Sequence, residues 1–320
     1  MRRRDFITLV GGSTATLIVC PFEARSQLTA RLGALMVIAE ADPDARRLVE
    51  ALETQLAAVG WHKGRNLEIT YRWGASNPEL LARYANELVL AAPDVLVAFG
   101  TPALVPLHKA TTTIPTVFTS VSDPVAQGFV ASLAHPGGNT TGFSNYEPNI
   151  GSRWLQLLNE VAPYVTQTTV MFPRTSPYNV LWIHSIEMAA PSFGVSVAQT
   201  SVQSDDDIRS AIDLLGTRPG SSLIVPADSY TYERSTLIAS LAASTRLPSV
   251  YAFSRFVHDG GLIAYGVDLV EQFGRTPGPI SIAFLKVKRR QSCPSRGRRV
   301  IPWLSILRPR RRSASLSRPA

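Results

Sequence analysis

Two short segments of this 320-residue chain carry the same chemical device. Gly100-Thr101-Pro102 follows the apolar run Asp94 to Phe99, and Ser120-Val121-Ser122-Asp123-Pro124 follows Thr116 to Thr119. Each sets a hydroxyl or carboxylate just before a proline, the arrangement of a helix N-cap and first turn. Gly100 permits a close backbone approach, and Thr101 adds a hydroxyl beside a helix N-terminus, which favours a carboxylate or another anion. Ser122 can bond a carboxylate, and Asp123 can receive an ammonium. Either segment alone serves equally well as a plain cap; two on one sheet edge favour binding. Farther along, Asp228 in Pro226-Ala227-Asp228-Ser229 offers a carboxylate to an amine. Tyr251 and Phe253 offer faces to an apolar or ring-shaped group, or else belong to the core. Asn145 completes the candidate ligand contacts.

Catalytic spacing is missing. Gly142-Phe143-Ser144-Asn145-Tyr146 approaches the nucleophile elbow of an α/β hydrolase, but Tyr146 stands where the sharp turn needs glycine. The five histidines, His62, His108, His135, His184 and His258, lie scattered with no metal-ligand spacing. No glycine-rich phosphate loop with a lysine is present. The residues therefore predict a binder with no catalytic residue, metal or cofactor, and an exported α/β hydrolase is the alternative.

Charge is distributed unevenly. The net charge of +8 suggests a nucleic-acid partner, yet Gly274 to Ala320 holds 13 Lys and Arg and no acid, leaving the rest of the chain at −5. Residues 274–320 show no helical or strand period, and Pro, Ser and Arg dominate. They read as a disordered basic tail translated out of frame from near Gly274, because a shifted frame allows amphipathic strings in their place. At the other end, Arg2-Arg3-Arg4-Asp5-Phe6-Ile7 precedes a short apolar run and Ala24-Arg25-Ser26. This is the order of an export signal over residues 1–26, similar to the twin-arginine kind, and it predicts a periplasmic protein. The run is too short and polar for a membrane span of ~20 residues. Cys20 falls in that signal, with bulky Val19 disfavouring lipidation, and Cys293 falls in the tail, so no disulfide framework is expected.

The elements that must position the candidate residues alternate. Apolar runs at Arg31–Ile38, Asp94–Phe99, Thr140–Ser144, Thr168–Phe172 and Ser222–Val225 read as buried strands. Between strands lie helical stretches with caps, such as Asn77-Pro78 and Ser204 or Asp205; Asp123-Pro124 is read as opening another. Such alternation predicts parallel sheets covered on both faces, in two doubly wound lobes joined by a hinge. Ligands of such sheets sit beyond the carboxyl ends of the strands, where all the candidates lie.

Four segments in order carry a family resemblance: Gly100-Thr101-Pro102-Ala103, Ile114-Pro115-Thr116-Val117-Phe118, Ser122-Asp123-Pro124-Val125 and Leu133-Ala134-His135-Pro136-Gly137-Gly138-Asn139-Thr140-Thr141-Gly142. With Phe256-Val257 and Gly260-Gly261-Leu262-Ile263, they resemble the ABC-transporter substrate-binding family whose better-understood relatives bind tryptophan or tyrosine. The resemblance implies a type I periplasmic-binding-protein fold, no catalysis, and a monomer delivering a small amino-acid-like or aromatic solute to a membrane permease. Residues 27–145 with 252–273 are expected to form the first lobe and 146–251 the second.

Overall fold

The computed structural model describes residues 29–145, 147, 149–174 and 179–292. The export signal, Cys20, Cys293 and the tail beyond 292 lie outside the described residues. Among the described residues, no helix is long and apolar enough to cross a membrane.

The first lobe runs β1 (Ala30–Met36), α1 (Pro43–Ala58), β2 (Leu67–Trp73), α2 (Pro78–Leu90), β3 (Val95–Phe99), α3 (Thr101–Ala110), β4 (Thr116–Val121) and β5 (Thr140–Ser144). All its strand pairs are parallel, in the order β2-β1-β3-β4-β5. β3 is buried along its whole length because helices cover both faces of the sheet. The helices follow their caps. Asp42 accepts from the Asp44 amide with Pro43 behind it, and Asn77 accepts from the Leu80 amide with Pro78 behind it. α1 turns Ala45, Leu48, Leu52 and Leu56 inward at helical spacing and ends at Gly60, where φ is +90°.

After β5 the chain crosses to a second lobe: α4 (Ile150–Val161), β6 (Gln167–Pro173), α5 (Asn179–Ala189), β7 (Ser196–Val202), α6 (Asp205–Gly216), β8 (Ser221–Val225), α7 (Ser229–Glu233), α8 (Ser235–Ser244), β9 (Ser249–Tyr251), α9 (Arg255–His258) and β10 (Ile263–Ala264). Its sheet is also wholly parallel, β10-β9-β8-β6-β7, which repeats the strand order of the first lobe. The pairing of β10 with β9 corrects the expected boundary. Residues 252–264 belong to the second lobe, because Ile263 and Ala264 extend its sheet.

The chain then returns. α10 (Leu269–Gly274) and α11 (Pro277–Ser292) pack on α1. Phe273, Ile280, Ala283 and Phe284 are buried, the Phe284 ring lies 4.6 Å from that of Trp61, and the Trp61 indole donates to Ser281 at 3.1 Å. The sequence reading assigns everything after Gly274 to a tail that cannot pack; the structure corrects it with a helix as far as Ser292 whose side chains pack as far as Phe284. Prolines at 277 and 279 suit a helix's first turn, and the buried period of Ile280, Ala283 and Phe284 is short enough to be masked by the basic run that follows.

Candidate functional site

In both sheets the strand order reverses beside the first strand, so a crevice opens beyond the carboxyl ends of β1 and β3 in one lobe and of β6 and β8 in the other. These ends face each other. Between them lies a cavity of about 40 Å3. Val37, Ile38, Phe99, Gly100, Thr101, Pro102, Ser120, Ser122 and Asn145 line it from the first lobe. Ala227, Asp228, Ser229, Tyr232 and Phe253 line it from the second, and Leu269 from the returning chain.

The first-lobe wall is a hydrogen-bonded network. Gly100 has φ of +90°, and a Cβ there would meet Val37 Cγ1 at 2.8 Å, so the turn into α3 requires glycine. α3 has no side-chain cap, which leaves the positive end of its dipole facing the cavity. Thr101 Oγ1 accepts from the Ser122 amide at 3.1 Å, and Ser122 Oγ donates to Asn145 Oδ1 at 3.1 Å. Behind them is a register shift between Thr119 and Val121, with Ser120 at φ +57°. Gln272 of α10 holds that bend: its Oε1 accepts from the Ser120 amide at 2.9 Å and from Thr119 Oγ1 at 3.3 Å, while its Nε2 donates to the Ser144 carbonyl at 2.9 Å.

The second-lobe wall is acidic and aromatic. Asp228 is buried and its carboxylate caps α7 through the Tyr230 amide at 2.8 Å. Phe253 meets Tyr232 edge to face, with centroids 5.2 Å apart. Burial first, then the hydrogen bond and charge of Asp44, hold the Tyr232 hydroxyl far above its ordinary pKa, so it is a donor at any physiological pH.

Five of the seven candidates named from sequence come together here: Thr101, Ser122, Asn145, Asp228 and Phe253. Asp123 and Tyr251 do not. Asp123, at φ +36°, turns back to accept from the Ala126 amide at 3.0 Å, and the segment after it makes turns instead of the expected helix. Tyr251 is core: fully buried, it stacks on Phe256 at 4.5 Å, and burial pushes its hydroxyl up to about 12. Sequence reasoning missed Tyr232, because only the fold brings α7 over the cleft, and Gln272, whose partners lie 128 to 153 positions away. β5 ends at Ser144 and the next helix starts at Ile150, so Ser144 does not stand at a sharp strand-to-helix turn; Tyr146 lies outside the described residues. Among the described residues no group of three or more His, Cys, Asp or Glu is placed to hold a metal.

Two matched doubly wound lobes with a lined cavity between their strand ends define a solute-binding protein of the type I periplasmic class. Comparison with known proteins agrees. The family profile described as ABC transporter substrate binding protein matches residues 34–297, past Gly274, and the chain belongs to that family. A tyrosine-binding protein of Clostridioides difficile is 25% identical over 247 residues, which cover 77% of this chain and 69% of that protein. Among solved structures, a conserved domain protein from Vibrio cholerae has a TM-score of 0.74 at 26% identity, covering 83% of this chain and 88% of that one. An ABC domain from Streptococcus pneumonia in complex with L-Trp has a TM-score of 0.72 at 22% identity, covering 81% and 85%.

Proposed function

We propose that this chain is the extracytoplasmic receptor of an ABC importer and takes a small amino acid, with an aromatic side chain, between its lobes. The observation that carries the reading is the cavity itself, lined from both sheets at their switch points. The hydroxyls of Thr101 and Ser122, at the open end of α3, suit the ligand carboxylate. Asp228 suits the ammonium, and Phe253 with Tyr232 suits the ring. The tyrosine-binding relative and the L-Trp complex support this class of ligand. About 40 Å3 holds one water, whereas a benzene-sized guest needs a cavity near 150 Å3. Ligand entry therefore requires the lobes to part about the two chain crossings, after β5 and after β10. The export signal read over residues 1–26 supports a periplasmic setting, with a permease as partner.

A thermal-shift screen of the twenty amino acids against the chain tests this. A true ligand at 100 times its dissociation constant stabilises by about 2.7 kcal/mol, a shift of several degrees. L-tyrosine or L-tryptophan is expected to head the ranking; no shift with any amino acid would sink the assignment.

A further inference from the structure

The cavity has a neighbour. Toward α1 lies a second space of about 300 Å3, lined in part by Asp44, Arg47, Arg255 and His258. Tyr232, Phe253 and Leu269 line both spaces, so they form the partition between the inner cavity and the outer one.

Tyr232 does not hold its place from within its own lobe alone. Its hydroxyl donates to the Asp44 carboxylate across the lobe boundary. The Arg255 guanidinium lies 4.7 Å over its ring and donates from Nη1 to both oxygens of Asp42, at 2.8 Å each, across the same boundary. These groups are largely withdrawn from water: side-chain exposure is 14% for Arg255, 5% for Asp42 and 13% for Asp44. Desolvation offsets much of the attraction in an ion pair this dry, but losing either partner strands a buried charge. Asp42 and Asp44 open α1 and Arg255 opens α9, so the contact exists only while the lobes are together.

We propose that Asp42, Asp44 and Arg255 are positioning residues that clamp Tyr232 across the lobe boundary and thereby set how long a ligand stays in the inner cavity. They need not touch the ligand. They hold the partition that a ligand must displace to leave, and they are broken by the opening that ligand entry needs. The clamp therefore slows release more than it slows capture. This rests on the proposed ligand site, and the test separates the two.

Two conservative variants isolate the clamp. Asp42→Asn keeps the α1 cap, since asparagine caps as well as aspartate, but removes the charge. Tyr232→Phe keeps the ring wall and removes only the hydroxyl's contacts with Asp44 and Arg255. Stopped-flow fluorescence with L-tyrosine and L-tryptophan is expected to show dissociation faster by tenfold or more in each, with association changed less than threefold. Ligand-free melting should fall only modestly in either variant, because parting the lobes returns a stranded Arg255 to water. Unchanged dissociation, or equal loss in both rates, would overturn the proposal.

A second readout needs no ligand. Spin labels at Glu79→Cys and Asp206→Cys, both exposed at helix N-termini, report the lobe separation once Cys20 and Cys293 are replaced by Ser. In the ligand-free chain the short-distance population should shrink in both variants. Identical distance distributions would defeat the clamp even if every amino acid bound. Conversely, failure of all amino acids to bind, with a shift in distances, would retain the clamp and remove only the ligand assignment.

Discussion

The two lobes share one strand order and differ in what they place at its end. The first presents a built network, Thr101 to Ser122 to Asn145, tied from behind by Gln272. The second presents Asp228 and two rings, one of which is braced from the other lobe. Topology therefore decides where a site lies, and loop chemistry decides what it recognises. The first lobe's network is complete once its own strands and α10 are in place, whereas Tyr232 of the second is braced only when the lobes meet. A further asymmetry comes from the chain's return, which gives α10 and α11 to the first lobe alone.

The largest expected effect breaks that asymmetry. Phe284→Ala removes the ring against Trp61 and should cost about 3–5 kcal/mol, as for other buried aromatics. Urea unfolding should show the loss in the first lobe; a midpoint unchanged from the parent would mean that α11 is dispensable.

Gln272→Ala tests whether the first-lobe wall is held from behind. It removes the bonds that Gln272 makes to the Ser120 amide, the Thr119 hydroxyl and the Ser144 carbonyl. A buried group stranded in this way, as the Thr119 hydroxyl is, costs about 1–3 kcal/mol, so stability and ligand affinity should fall together. Affinity unchanged in calorimetry would show that the bend at Ser120 stands by itself.

Thr101 and Asp123 sharpen the contrast between a site residue and a cap. Thr101→Ala should weaken binding tenfold or more, while Thr101→Ser, which keeps the acceptor for the Ser122 amide, should restore most of it. Asp123→Ala should leave affinity within about threefold, because its carboxylate serves the Ala126 amide. Equal losses in the two alanine variants would return Asp123 to the site.

The smallest effect concerns Glu233, on α7 at the lobe boundary. Burial raises its pKa above the ordinary 4.5; the nearby Ser76 hydroxyl and the charges of Arg234 and Arg255 oppose this, and Asp42 adds to it. Protonated, the side chain bears no charge penalty. As pH rises through the raised pKa, the buried carboxylate destabilises the protein. Glu233→Gln should therefore stabilise slightly at neutral pH and lose that advantage as pH falls below the ordinary glutamate range. A constant difference across that range would mean that Glu233 has the same pKa folded and unfolded.

What the sequence by itself determined was local: period, caps and punctuation. Asn77-Pro78, Ser204 and the all-apolar Val95–Phe99 state their elements without help, because capping and strand burial depend on neighbours in the chain. The strand-end rule then located Thr101, Ser122, Asn145, Asp228 and Phe253. Tertiary structure alone decided the rest. Tyr251 and Phe253 are two residues apart and opposite in fate, because β9 ends at Tyr251, which stacks on Phe256 in the core, whereas Phe253 lies beyond the strand end and meets Tyr232 at the cavity. The weak period around Ile280 becomes a helix because Trp61 waits to cover it. Asp42 meets Arg255 across 213 positions, and Gln272 reaches the ends of two strands, β4 and β5, at once. Such pairs carry no local signal, because the free energy that joins them comes from burial that exists only after the chain has folded.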